Sequence, residues 1–131
     1  MAYDLDDLPD EVGTFLEERH LATLTTLRAD GSPHVVAVGF TWDAETRLVR
    51  VITFAPSQKA RNLRERPGTR AAVAQVDGGR WLSLEGTATV TDDPVRVAEA
   101  VRRYADRYRQ PGERTDRVAI EISIDRILGR A

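Results

Sequence analysis

The chain has 131 residues, no cysteine, and a formal net charge of −2 from 19 basic and 21 acidic side chains. That length predicts one domain over residues 1–131, able to bury about two-thirds of the surface its unfolded chain would expose. The composition excludes disulfides, thiolate nucleophiles and cysteine-bound zinc, and its near-balanced charge argues against a dedicated nucleic-acid binder.

Residues 1–12 are acidic and carry no basic-then-apolar leader, and the longest apolar run, 35–42, is too short to span a bilayer. The expectation is a cytoplasmic protein with no membrane or nucleic-acid partner, whose residues 1–10 are a loosely ordered acidic start. Residues 9–19 read as a helix with Val12, Phe15 and Leu16 on one face. Residues 21–28, rich in β-branched side chains, read as a strand, and Asp30-Gly31 turns the chain. Residues 34–42 form the next strand, 43–46 a turn and 47–54 a third strand, which together predict an antiparallel meander.

Ser57 is placed to cap a helix running to about residue 66, which Pro67-Gly68 ends. Residues 70–76 and 81–91 read as a hairpin around Asp77-Gly78-Gly79, with Gly86 marking a bulge or bend. Asp93-Pro94 starts a third helix whose Val97, Ala98, Val101, Tyr104, Ala105 and Tyr108 recur at helical spacing. After a polar loop at 110–114, residues 117–128 alternate into a last strand. Val118, Ile120, Ile122 and Ile124 take one side of it, and Ala119, Glu121, Ser123 and Asp125 the other. The fold class is mainly β with helices: six antiparallel strands in a closed or half-closed barrel with helices at its rim.

Of the 19 basic residues, one is lysine, leaving 18 arginines. An arginine-favouring coding bias explains why lysine is rare but not where Lys59 sits. Thr53 ends a strand, Ser57 caps the next helix, Lys59 lies in its first turn and Asn62 three residues on. Free amides at a helix start, two hydroxyls and a lysine suit an anion. Local pattern alone fits an ordinary capped helix with a solvent-facing lysine at least as well. The two histidines, His20 and His34, have no acidic residue at ligand spacing on a recognisable scaffold, so no metal site is expected.

Residues 25–36 (TTLRADGSPHVV), the Ser-x-Lys-Ala-x-Asn-Leu stretch from Ser57, Pro67, and residues 81–88 (WLSLEGTA) follow one another in an order that carries a resemblance. The chain resembles the pyridoxamine-phosphate-oxidase-like split β-barrel oxidoreductases, and within them the actinobacterial branch that uses the deazaflavin coenzyme F420. The likeness runs from about residue 15 to 129. It implies a homodimer with two cofactor sites at the subunit interface. It also implies an enzyme that moves a hydride from reduced F420 to a conjugated acceptor such as biliverdin, with no catalytic side chain required. Lys59 and Asn62 would bind the cofactor phosphate, helped by Ser57 and Thr53. Pro33, Val35 and Val36 would line the groove near the ring, and Trp81 would form an aromatic wall. Arg61, with Arg64 and Arg80, would meet the carboxylates of the cofactor's tail, Arg64 fitting a solvated helix face better. FMN is the rival cofactor; Lys59, with no basic neighbour in sequence, suits the singly charged diester of F420 instead. A non-catalytic F420- or tetrapyrrole-binding protein is the remaining alternative. His34 reads as a proton donor or, more simply, as a structural histidine.

Overall fold

Every second residue along the strands is apolar, and the structure puts those residues on one side. The computed structural model describes residues 2–131. In chain order it holds α1 (Asp10–Glu17), β1 (Ala22–Leu27), β2 (Pro33–Val38), β3 (Thr41–Asp43), β4 (Leu48–Phe54), α2 (Gln58–Glu65), β5 (Thr69–Asp77), β6 (Arg80–Thr91), α3 (Pro94–Arg107) and β7 (Arg117–Arg130). Leu24, Val49, Val73, Leu82, Leu84, Ile120 and Ile122 are fully buried, and Phe15 of α1 and Leu63 of α2 close over them. Each such side chain contributes about 1.5–3 kcal/mol relative to an exposed one. Among the described residues no helix is long and apolar enough to cross a membrane.

All pairings are antiparallel, in the order β2-β1-β5-β6-β7-β4-β3. The two ends of this ladder, β2 and β3, are consecutive in the chain and joined only by Gly39-Phe40. The sheet must therefore curl until its ends meet, without hydrogen bonds joining them. This is a split barrel, half-closed rather than closed.

There are seven strands, not six, because the expected strand at 34–42 breaks in two. The cause lies on α3. Tyr108 Oη lies 3.2 Å from the Phe40 amide and donates to the His20 carbonyl at 2.7 Å, while Arg107 donates to the Phe40 carbonyl at 2.6 Å. Phe40 thus gives its backbone groups to α3 instead of a neighbouring strand. A Cβ on Gly39 would lie 3.0 Å from the Tyr104 and Tyr108 rings, so a side chain there would crowd this packing.

Gly86 marks the expected bulge: the β6–β7 register shifts between Glu85 and Gly86, and a Cβ there would fall 1.9 Å from the Ser123 carbonyl oxygen. On β7 the predicted apolar side is buried, but Ala119 and Glu121 are buried as well. Arg96 of α3 reaches Glu121 at 2.6 Å, so this half of β7 is covered on both faces.

The acidic start is not loose. Ala2 bridges to Leu128, the Tyr3 amide donates to the Ile127 carbonyl at 2.8 Å, and Arg47 holds Leu5 and Asp6. Tyr3, Leu5 and Leu8 pack against the core between the acids. Met1, included in that expectation, lies outside the described residues.

Candidate functional site

The split follows from unequal strand lengths. β7 pairs with all of Leu48–Phe54 on one edge of β4, but β3 covers only Leu48 to Arg50 on the other. Residues 51–54 therefore keep an edge with no strand partner. β2, at the ladder's other end, pairs only with β1. A cavity of about 370 Å³ lies between these edges, with Ala37, Val38 and Gly39 on one side and Ile52, Thr53 and Phe54 on the other. Lys59, Tyr104 of α3, Arg109 and Arg114 of the loop after it, and Arg117 at the start of β7 also line it. Unpaired strand edges offer N–H and C=O groups in a row, which suits the polar rim of a flat heteroaromatic ring.

α2 starts at the mouth of this seam. Ser57 has extended backbone, and its Oγ accepts from the Ala60 amide at 3.3 Å and from Thr53 Oγ1 at 3.1 Å. Its carbonyl takes the Arg61 amide at 3.0 Å. The amides of Gln58 and Lys59 have no hydrogen-bond partner among the described residues, which leaves the positive end of the helix available. Lys59 is half-buried beside Phe54, its Nζ 5.9 Å from the ring centroid, and it has no carboxylate partner among the described residues. Burial lowers its pKa below the ordinary lysine value.

Thr53, Ser57 and Lys59 are thus brought together as expected, while Asn62 is not presented with them. Asn62 is buried; its Nδ2 donates to Thr26 Oγ1 at 2.9 Å and its Oδ1 accepts from Gln58 Nε2 at 2.6 Å. Its amide ties α2 to β1. Arg61 is exposed and donates to Gln58 Oε1 at 2.5 Å. Arg64 donates to the Ala55 carbonyl at 2.6 Å and lines a different cavity, of about 680 Å³.

The groove residues divide by strand periodicity. Pro33 and Val35 are exposed on the outer face of β2, whereas Val36 turns inward against the core. Trp81 pairs with Val76 at the hairpin end of β6, the opposite end of the β1–β5–β6 ladder from the Thr26 end that α2 covers. One chain does not bring it to Lys59. His34 lies opposite Thr26 on the inner face, and its buried Nδ1 has no partner among the described residues. Burial, then the charges of Arg28 and Lys59, hold its pKa below the ordinary histidine value.

His20 has acidic neighbours after all. Glu18 Oε1 lies 2.9 Å and Asp77 Oδ2 3.8 Å from His20 Nε2, and the three residues offer ligand atoms within 4.8 Å of one another. Arg80 already occupies both carboxylates: it grips Glu18 at 3.0 and 2.9 Å and Asp77 at 2.5 Å. Arg80 and His20 hold the Glu18 carboxyl down to about 2. The arrangement is a closed ion-pair cluster, and Arg80 is spent in it. Arg109, Arg114 and Arg117 were missed as cavity residues. The signal was a loop at 109–117 dense in arginine around Pro111-Gly112.

The family model described as pyridoxamine 5'-phosphate oxidase matches residues 8–131. The F420H(2)-dependent biliverdin reductase of Mycobacterium tuberculosis is 58% identical over 124 residues, covering 95% of this chain and 89% of that protein. Among solved structures, a conserved hypothetical protein of the same organism superposes with a TM-score of 0.79 at 26% identity, over 95% of this chain and 84% of that one. An F420 reductase superposes at 0.74 with 28% identity, over 92% and 98%.

Proposed function

The chain belongs to the pyridoxamine 5'-phosphate oxidase family, and from that premise we propose that it is a reductase dependent on coenzyme F420. When bound, the reduced deazaflavin supplies a hydride for a conjugated acceptor, with biliverdin the first candidate because a 58% identical relative is named for it. The observation that carries the cofactor reading is Lys59, a half-buried cation with no carboxylate, beside unpartnered helix amides at the mouth of a slot between two strand edges.

These residues fit the group. Ala37, Val38, Ile52 and Phe54 make the strand sides of the slot mostly apolar in residue type, and the single lysine with the Gln58 and Lys59 amides suits one negative charge. Lys59 would hold the phosphate, with Ser57 and Thr53 fixing the helix start through their shared hydroxyl bond. Asn62 would act from behind, by anchoring α2 to β1 through Thr26. The protein's part is to bind and orient, and to keep water from the reacting face.

The reading includes a homodimer. On the outer sheet face Leu21, Val35, Val76 and Trp81 are 65, 58, 66 and 40% exposed. Val76 pairs with Trp81, and Leu21 lies one residue beyond the Ala22–Gln75 pair, so three of the four stand in a row. A second copy of the chain would cover this row and bring its Trp81 towards a neighbouring site.

Parallel titrations of the purified protein with F420 and FMN, followed by a biliverdin assay with reduced F420, test the proposal. F420 binding and turnover are expected. A protein that binds FMN and not F420 would overturn it; F420 binding with no hydride transfer would leave a carrier rather than an enzyme. Sedimentation at micromolar concentration should give a dimer.

A further inference from the structure

Four cations converge on the seam cavity: Lys59, Arg109, Arg114 and Arg117. No acidic residue lines it. Four other cavities, of about 680, 300, 190 and 570 Å³, each have at least one carboxylate in their walls: Asp92 and Asp116, Glu17 and Asp106, Glu85, and Glu113. The contrast is local, because the chain as a whole is slightly acidic. Among the described residues Arg109, just past the end of α3, has neither a hydrogen bond nor an ion pair. Arg117 donates to the Gly112 carbonyl at 2.8 Å and meets no carboxylate. Arg114 pairs with Asp116 through Nε and Nη2 and lies 4.4 Å from the Phe54 ring centroid, the ring Lys59 also approaches. Two cations drawn to one ring repel each other; Asp116 offsets the Arg114 side, and Lys59 is left with no counter-charge among the described residues.

We infer that the outer end of the seam is a carboxylate-recognition site, in which Arg109, with Arg117, grips an acidic arm of the ligand seated in the slot. The guanidinium fork matches a carboxylate in two parallel hydrogen bonds, which a lysine cannot do. The cations are spread between α2, the loop after α3 and the start of β7, so they suit separate singly charged groups better than one compact dianion. Two ligands have such arms: an acceptor with carboxylate side chains, and the acidic tail of F420. The second source rests on the F420 reading; the first does not.

Arg109→Gln is the clean variant, because the side chain it removes holds nothing in the fold. Wild type and variant are titrated, without turnover, against biliverdin and its dimethyl ester, and against F420 and its tail-free chromophore. Tryptophan quenching reports the first pair and deazaflavin fluorescence the second. The expected result is a loss of about tenfold in affinity for one acid-bearing ligand, with its uncharged counterpart unaffected. The pair that shows the difference identifies the source. An ester-dependent loss in a protein that does not bind F420 would uphold this site while removing the cofactor proposal. Equal losses within each pair, no loss in either, or no binding of any of the four by wild type would overturn it.

Discussion

The flank of α3 that faces β3 and the seam at its far end are both rich in cations, and they are built oppositely. On the flank every cation has its donors taken: Arg50, Arg102 and Arg103 by carboxylates, and Arg107 by the Glu18 and Phe40 carbonyls and the Gln75 side-chain oxygen. Asp43 takes Arg50 and Arg103 at 3.1 Å each, and Glu99 takes Arg102 at 2.8 Å and Arg103 at 2.7 Å. At the seam Lys59, Arg109 and Arg117 meet no carboxylate among the described residues. The difference teaches that charge content does not separate scaffold from site in so arginine-rich a chain. Saturation does: a cation whose donors are taken by carboxylates or buried carbonyls holds the fold, and one with donors left free beside a cavity is held for something absent. The comparison can be broken by removing partners from each side in turn.

The largest effect is expected on the flank. Asp43→Asn leaves the Arg50 guanidinium, whose side chain is only 9% exposed, without its counter-charge. Removing one member of such a buried pair costs about 3–5 kcal/mol. Urea unfolding should show that loss, with F420 affinity of the folded protein unchanged; a cost below about 1 kcal/mol would mean the pair is replaceable by solvent. The pH dependence has a definite sign. Burial pushes the Asp43 carboxyl up, but hydrogen bonds from Thr46 and Arg50 and the charge of Arg103 outweigh it and bring it from 3.8 to about 2. Its stabilisation is present above pH 3.8 and is lost as pH falls through about 2, and the Asn variant should lack that slope.

Lys59→Ala should do the reverse. It removes a charge-assisted contact and should weaken F420 binding by about 1.5–3 kcal/mol. Because Lys59 is a partly desolvated cation with no counter-charge, stability should hold or rise slightly. Unchanged affinity would put Lys59 on the scaffold side of the comparison.

Asn62 separates anchor from ligand. Asn62→Ala leaves Thr26 without its buried donor and should cost about 1–2 kcal/mol of stability. Its F420 affinity should fall far less than that of Lys59→Ala. A loss of affinity at full stability would restore Asn62 to the phosphate.

The sequence made the scaffold legible where one period governs one face. Val12, Phe15 and Leu16 on α1, the even-numbered apolar residues of β7 and the bulge at Gly86 all stand where spacing puts them. It hid what tertiary contacts decide. Nothing local shows that Tyr108 would take the Phe40 amide and split a strand, or that Tyr3, Leu5 and Leu8 would anchor an acidic segment. In the site, the order Thr53, Ser57, Lys59 was legible because a strand end, a cap and a first turn are consecutive in sequence. Asn62 was legible as a neighbour of Lys59 but not as a buried one, since its partner Thr26 lies 36 residues away. Pro33, Val35 and Val36 were read as one groove wall, although adjacent strand residues face opposite sides.

The smallest effect expected is at His34, which lies on the inner face beside the seam mouth. In the free protein its imidazole is held neutral by burial and by the charges of Arg28 and Lys59, so its folded pKa lies below 6.5. Stability contributed by the neutral ring is present above pH 6.5 and is lost as pH falls through the folded value, because the unfolded chain takes up the proton first. An anion placed at Lys59 cancels part of the positive field and raises the imidazole pKa again. Binding therefore takes up a proton, and affinity for F420 should strengthen as pH drops below 6.5. His34→Gln should flatten that dependence while leaving affinity at pH 8 unchanged. Titrations at matched ionic strength from pH 5.5 to about 8, the span over which histidine titrates, decide the point. A slope that survives in the variant would assign the proton to another group and leave His34 a packing residue on β2.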